Sequence, residues 1–441
     1  MRIPVGTTQG HSAAGPTFPA SGPVGSRGGS PAPRRSFAVA CLLAMVAPLA
    51  PRAEFPRESS QPSPPAPATD QKDSEARTPP PPATREQVVS ALERGVAFLV
   101  RDQNQDGSWG SPHQTKDLNI FAPVPGAHQA FRAAVSAMCV EALIESGAAE
   151  TNTGARAALE RGEAWLLDNL PRVRRADGIA IYNVWTHAYG IQALAAMHGR
   201  QGLPPERQAR LRELMVQQLD LLRRYESVDG GWGYYDFRVQ AQRPATDSTS
   251  FVTATALLAF DRARAAGVGI PADLRQRAID SINRQRKPDH SYYYGEYLKW
   301  RPMLPINRPG GSLGRSQACN LALRRWGDAT ITDEVLAEWL EKLITRNGWL
   351  DMGRKRPIPH ESWFQVAGYF YFYGHYHGVL CAEELGGELG NQFKARLAGL
   401  LVALQEKDGS WWDYPLYNYH QQYGTAYAVM SLARCRQRCE L

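Results

Sequence analysis

The sequence predicts an all-α protein: an α/α toroid of about six helical hairpins, with an inner and an outer ring, preceded by a disordered leader. Three observations predict it. A turn of the form Asp-Gly-x-Trp recurs along the chain, two kinds of helix alternate around it, and proline and tryptophan occupy different parts of the sequence.

Of the 441 residues 32 are proline, and 17 of these fall in residues 1–84, whereas all 11 tryptophans lie beyond them. Sequence rich in Pro, Gly, Ser and Ala buries too little apolar surface to offset the entropy of ordering, so residues 1–84 build no core. Residues 85–441 are long enough to build one. No run of 18 or more apolar residues occurs, which excludes a multi-span membrane protein. The net charge is +7, but residues 85–441 hold 42 Lys/Arg against 38 Asp/Glu. That small excess, spread over a long domain, makes no nucleic-acid surface, and no nucleic-acid partner is expected.

The leader divides in two. Residues 1–53 contain a 14-residue apolar run at 37–50 (FAVACLLAMVAPLA), preceded by Arg34-Arg35. A short apolar run behind a basic flank reads as the core of an export signal, with an uncleaved anchor as the alternative. Arg34-Arg35-Ser36-Phe37 also resembles a twin-arginine signal. The expected location is the periplasm or cell envelope, with membrane proximity through this segment. Residues 54–84, including Pro79 to Pro82, read as an extended linker, and 85–441 as the repeat domain.

The repeat shows in its punctuation. Asp106-Gly-Ser-Trp109 and Asp408-Gly-Ser-Trp411 are identical, and Asp229-Gly-Gly-Trp232 is a third copy. Asp289-His-Ser-Tyr292, Asn347-Gly-Trp349 and Asp177-Gly178 are weaker echoes. Each follows a charged, amphipathic segment: 85–103, 155–170, 205–226, 272–286, 332–346 and 392–406. Each precedes an apolar one rich in Ala and Tyr: 129–146, 184–198, 248–265, 312–326, 362–385 and 423–436. A helix with one apolar face sits at the surface, and a helix apolar all round is buried. Two concentric rings satisfy both patterns, with the inner-helix N-termini gathered at one end. An open α-solenoid is the alternative, for which these repeats are long.

Arg94-x3-Phe98-Leu99-x3-Gln103-x3-Gly107-x-Trp109 resembles the QW repeat of squalene and oxidosqualene cyclases. The copy from Arg396 to Trp411 lacks only the aromatic. The resemblance, to the terpenoid cyclase and protein prenyltransferase β-subunit superfamily, covers about residues 86–436. It implies a single toroid, half a triterpene cyclase, and an isoprenoid or other apolar small molecule as partner. Class II cyclases protonate an alkene with the central Asp of Asp-x-Asp-Asp-Thr. Asp247 falls on that position, with Ala245 and Ser248 where the flanking carboxylates stand. Asp247 also reads as a cap of the following helix. Gly310-Gly-Ser-Leu-Gly314-Arg315 is similar to the glycine-rich stretch before the prenyltransferase zinc site. No Asp stands two before Cys319, so no zinc site is implied. No cofactor is called for, and no C-x-x-C pair occurs.

Placing the inner helices as above brings polar residues to one end: His128, Gln129, Asn183, His187, Asp247, Arg315, Gln317, His360, Glu361, His420 and Gln421. Arg315 is a candidate for holding an anionic head group. Aromatics follow beneath, among them Trp185, Tyr189, Trp363, Tyr369 and Tyr423. An aromatic-walled recess under a polar mouth suits an isoprenoid chain or stabilises a carbocation. Read as helix, Glu361 and Gln365 stand i, i+4 on one face with Tyr369 next, which makes Glu361 a second candidate acid, or a cap of its own helix. His375 and His377, two apart, face different ways and cannot share a metal. Convergence alone allows a metal held by His187, Asp247 and His360. The functional readings are an exported cyclase-like enzyme or binder of an apolar ligand, a non-catalytic envelope scaffold, and an exported carbohydrate-active toroid using Asp247 with Glu361 as a carboxylate pair.

Overall fold

A computed structural model of the chain describes residues 79–116, 122, 124–237, 240–241, 243–244, 247–360, 362 and 364–436. These belong to the compact unit of residues 70–441. The apolar run at 37–50, the twin arginines and most of the linker lie outside the described residues, as do Glu361 and Trp363.

The first five helices are α1 (Arg85–Arg101), α2 (Pro125–Ser146), α3 (Ala148–Thr151), α4 (Thr153–Asn169) and α5 (Asn183–His198). There follow α6 (Pro205–Arg224), α7 (Ser250–Ala265), α8 (Ala272–Gln285), α9 (Pro309–Arg325) and α10 (Asp333–Thr345). The last are α11 (Gly348–Asp351), α12 (Phe370–Leu385), α13 (Gly387–Ala403) and α14 (His420–Arg436). Local chemistry starts and stops them. Thr84 and Gln87 form a capping box on α1, each side chain accepting from the other's backbone N–H. Asn152 caps α4 and Thr332 caps α10. Proline opens α2, α6 and α9, where its missing N–H costs nothing.

The apolar helices close into a ring: α2 packs on α5, α5 on α7, α7 on α9, α9 on α12, α12 on α14, and α14 returns to α2. The amphipathic helices stand outside, α4 against α2, α6 against α5, α8 against α7, α10 against α9 and α13 against α12. The sixth outer helix, α1, packs on α14. Each tight pair therefore runs from an inner helix to the outer helix after it, and the sixth pair joins the two ends of the chain. The longer outer-to-inner connections gather at the mouth end, as the α/α toroid requires.

The recurring turns join neighbouring outer helices. Trp109, Trp232 and Trp411 are fully buried. Each donates its indole N–H to the carbonyl ten residues back, at Leu99 (2.8 Å), Leu222 (2.8 Å) and Leu401 (2.7 Å). Their backbone N–H groups donate to Ser136, Thr253 and Thr425 on the next inner helix. Gln103 reaches α4 at Ala158 O (2.8 Å), and Gln405 reaches α1 at Ala91 O (2.9 Å). Glu226, in the same register, holds Arg277 of α8 through two bonds. Gly409 has φ +90°, and a Cβ there would lie 2.5 Å from Arg94 O. Only glycine fits a left-handed turn pressed against another helix.

Inside the ring the side chains form layers. Tyr189 bonds Tyr427 across α2 (2.8 Å), and the Tyr373 hydroxyl donates to Phe251 O across α9 (3.0 Å). Farther from the mouth, Arg262 of α7 pairs with Glu141 and Glu145 of α2. Arg434 of α14 joins Glu145 to Glu383. Because α2 and α7 are not ring neighbours, these ions span the lumen. Burial pushes the Glu141 carboxyl up to about 7, against the opposing pull of Arg262.

Gly409→Ala is expected to destabilise the protein by about 2 kcal/mol or more, measured by urea unfolding. Gly202 has φ +75° with nothing within 4 Å of its Cβ position. Gly202→Ala should cost only the backbone strain, about 1 kcal/mol. Equal losses would show that closure against α1 adds nothing.

Candidate functional site

One helical turn separates Trp185 from Tyr189, Phe251 from Thr255, Tyr369 from Tyr373 and Tyr423 from Tyr427, so each pair shares a face and the first member lies nearer the mouth. The deeper layer is sealed, with Tyr189, Tyr373 and Tyr427 at most 6% exposed. Trp185, Tyr369 and Tyr423 keep part of their surface accessible although they sit on the inner ring. They form an upper layer at the mouth end, above the buried tyrosine layer.

Hydroxyls run along its edge. Tyr234 bonds Tyr294, Tyr294 bonds Tyr369 at 3.2 Å, and the Tyr369 hydroxyl stands 3.4 Å from His360 Nε2. His360 Nδ1 lies 2.6 Å from Gln365 O. A carbonyl only accepts, so Nδ1 carries the proton and Nε2 is an acceptor turned to the tyrosines. Burial, with some help from Arg315, lowers the His360 pKa, which keeps the ring neutral. His360 and Gln365 hold φ of +64° and +53°, a left-handed backbone that side chains resist. Tyr423 donates to Tyr369 O (3.0 Å), tying α14 to the same corner.

A second part of the rim is built on Tyr417. Its ring lies 4.6 Å from His128, and its carbonyl accepts from His420 Nδ1 at 2.7 Å. His360, Gln365, Tyr369, His128 and His420 lie at this end of the ring.

Three expected mouth residues are not. His187 is fully buried and faces outward, Nδ1 donating to Gln218 of α6 at 2.7 Å and Nε2 accepting from Asn183. Burial drives its pKa down to about 4. It cannot join Asp247 and His360 in a metal site, and no cluster of three metal-binding side chains occurs among the described residues. Gln317 turns to the outer ring and donates to Trp339 O (2.9 Å). Arg315 is fully buried, with all its hydrogen bonds to carbonyls: Tyr292 O (3.2 and 2.8 Å), Gly311 O (2.6 Å) and Ile306 O (2.6 Å). Burial without a carboxylate brings its pKa down to about 10. It braces the loop ahead of α9 and offers nothing to an anionic head group.

Of the two expected acids, Asp247 is among the described residues. The N-cap of α7 is Thr249, so Asp247 does not cap that helix; it is half-buried in the preceding loop, its carbonyl against Gly233. Residues 362 and 364–369 are not helical, because α12 begins only at Phe370. The left-handed Gln365 breaks the helical path, and Gly368 packs so closely on Asp413 that a Cβ would lie 2.4 Å from its carbonyl. The expected helical face carrying Gln365 and Tyr369 does not form, and Glu361 lies outside the described residues.

Two kinds of residue escape the sequence reading. Asp413 is fully buried and its carboxylate accepts from the N–H of Phe372 in the first turn of α12 (3.1 Å). Burial pushes it up to about 7 despite that bond. Tyr234 and Tyr294 belong to the hydroxyl chain. All three stand two residues after the turn aromatic, Trp411, Trp232 and Tyr292, so the repeat register was the signal that marks them.

No family model matches the chain, and no curated protein does. Among solved structures it is similar to the type II terpene cyclase MstE from Scytonema at 14% identity and TM-score 0.48, over 80% of this chain and 99% of that one. A variant of that cyclase in complex with geranylgeranyl dihydroxybenzoate aligns at 14% identity and TM-score 0.46, over 80% and 98%. An inactive variant of the α-1,6-mannanase GH76A of Salegentibacter sp. HEL1_6, in complex with α-1,6-mannotriose, aligns at 9% identity and TM-score 0.50, over 79% and 99%. The likeness is one of fold, the α/α toroid.

Two expectations follow. Arg315→Met leaves four carbonyl contacts unmade and should cost on the order of 3 kcal/mol in chemical unfolding. For Asp413, folded and unfolded carboxyls are both protonated below about pH 3.8, and between there and about 7 only the unfolded one ionises. Stability contributed at low pH is therefore lost as pH rises through that window. Asp413→Asn should flatten this slope in thermal melts taken from pH 4 to 7.5.

Proposed function

We propose that the toroid takes an apolar, isoprenoid-type chain into the inner recess, with the polar end of the ligand at the His360–Tyr369–Tyr294–Tyr234 edge, and acts on it as a terpenoid cyclase-like enzyme. The observation that carries this reading is the accessible upper layer of Trp185, Tyr369 and Tyr423 above a sealed floor. Such a site is apolar in its walls with a few oriented polar groups, as ligand recesses are. Its π faces attract a developing cation. The hydroxyl chain ends in a neutral imidazole whose Nε2 accepts, so a ligand hydroxyl or carboxylic acid has a partner there. Asp247 stays the candidate acid, on the strength of its motif position, and Glu361 the second candidate. We propose also that residues 37–50 direct export.

The test is to offer the purified full chain geranylgeranyl-substituted aromatic acids, polyprenyl hydrocarbons and mannooligosaccharides, and to measure binding by calorimetry and products by mass spectrometry. A prenyl ligand should bind, and Trp185→Ala should weaken it at least about tenfold. If turnover occurs, Asp247→Asn or Glu361→Gln should abolish it with little change in Tm. Binding of oligosaccharides without prenyl ligands would instead support the carbohydrate-active reading. Binding of neither would leave the scaffold reading.

A further inference from the structure

Three stretches of chain meet at Asp413, which lies in the loop between α13 and α14 and is fully buried. Its carboxyl accepts from the Phe372 N–H in the first turn of α12 at 3.1 Å. Its carbonyl accepts from the Lys355 N–H, and Gly368 packs on the same carbonyl. The α12 sequence has no capping side chain of its own, since Tyr369 at its N-cap makes no such bond. Asp413 supplies one from 41 residues beyond Phe372. Gly368 and Phe372 bracket Tyr369. The Tyr369 carbonyl holds the Tyr423 hydroxyl at 3.0 Å, and its ring stands edge-on to Tyr414, 5.7 Å away. One buried acid thus ties together the corner that carries the accessible Tyr369 and, through it, the His360 edge.

Two observations make this junction more than a brace. Among the described residues six that are not glycine hold a positive φ, and four of them, Lys355, His360, Gln365 and Tyr417, lie in the loops that Asp413 joins. Such backbone persists only where its surroundings over-determine it. In addition, Asp413 Oδ1 is buried with no hydrogen-bond partner among the described residues. A neutral carboxyl tolerates that position with the proton on Oδ1, whereas a carboxylate with one bare oxygen in a dry interior does not. The neighbours offer no relief. Arg354, the cation that faces it, is taken by Asp351 at 2.6 Å and lies over the Tyr371 ring. Tyr371 of α12 and Tyr423 of α14 face it as neutral phenols. The Lys355 ammonium is turned to Glu406, and the Tyr414 hydroxyl meets Lys116 at 3.0 Å. The α12 N-terminus favours the charged form, but through a single N–H.

We propose that Asp413 is a positioning residue of the candidate site, a proton-dependent clasp whose neutral carboxyl holds the corner from Gly368 to Phe372 and whose ionisation releases it. The step is loss of the Oδ1 proton to water, with no other covalent bond changed. The charge then needs water or the Arg354 guanidinium at Oδ1. Either arrival displaces the 411–414 loop from α12 and lets the left-handed residues relax. Tyr369 belongs to this corner, so the aromatic layer and the hydroxyl chain that ends at His360 shift with it. Burial pushes the Asp413 carboxyl up to about 7, so the clasp holds on the acid side of that value and lets go above it. Burial lowers the His360 pKa, so that imidazole stays neutral through the same window. The importance of the shift for a ligand rests on the reading above, whereas the clasp itself does not.

Hydrogen exchange of the full chain without ligand tests the clasp, read by mass spectrometry from about pH 6 to about pH 8 and corrected for intrinsic pH dependence. Protection of residues 366–372 and 411–414 should fall at least about tenfold across that step in the wild type. Asp413→Asn keeps an acceptor for the Phe372 N–H and has no charge to gain, so its corner should show no such fall. Arg354→Met removes the facing cation and should move the midpoint of the transition to higher pH, which decides the matter even if Asp413→Asn does not fold. Burial also pushes Glu141, at the far end of the lumen, up to about 7, so the place of the change matters. The proposal is overturned by a corner whose protection is unchanged across the step, or by a fall spread evenly around the ring. A fall that persists in Asp413→Asn, or a midpoint that Arg354→Met leaves in place, overturns it equally. No ligand enters these measurements, so their outcome is separate from that of the ligand reading.

Discussion

The ring depends on the contact between its two chain ends. Gln405 and Gly409 follow α13, yet they press on α1, more than 300 residues earlier, while Trp411 covers Gly95. The inner helices are apolar on nearly every side, so an open arc would expose two apolar flanks to water. Closure removes both, and the turn that achieves it is the same turn that links α1 to α4 and α6 to α8. A repeat protein capped by its own first helix needs no separate polar cap.

Closure also sets what is available for chemistry. Six helices around an axis leave a lumen, and the protein fills most of it. Across the middle lie hydrogen-bonded tyrosines, and at the far end Arg262 and Arg434 knit three glutamates together. Only the layer nearest the mouth keeps accessible aromatic surface. The candidate site is thus this accessible layer of the core, and its polar edge comes from loops that the rings hold in place. The left-handed backbone at His360 and Gln365 belongs to this edge, where surrounding packing sustains a conformation the local sequence disfavours.

Much of this was legible in the residues. Helix identity, alternation and the six-fold count follow from periodicity and from repeated turns, which are local properties. Candidate site residues fared unevenly for a geometric reason. Counting from a helix start places a side chain along the axis but leaves its rotation about the helix open. His187 and Gln317 were at the right height and turned to the outer ring. Arg315 also sat at the right height, but its long side chain bends back to four loop carbonyl contacts. The aromatic stretch before Phe370 looks helical by composition, yet Gly368 and its contact with Asp413 hold it in a loop. Tyr234, Tyr294 and Asp413 were missed because each draws its importance from partners on other turns.

By itself, the sequence determined the α/α architecture and its turn chemistry, because amphipathicity, capping and glycine turns act over a few residues. It also marked the end at which polar residues collect. Tertiary structure alone decided which of those residues face the lumen, which aromatic layer stays accessible, and which apolar side chains remain outside. Those are properties of helix rotation and of contacts between residues far apart in the chain, and no local pattern encodes them.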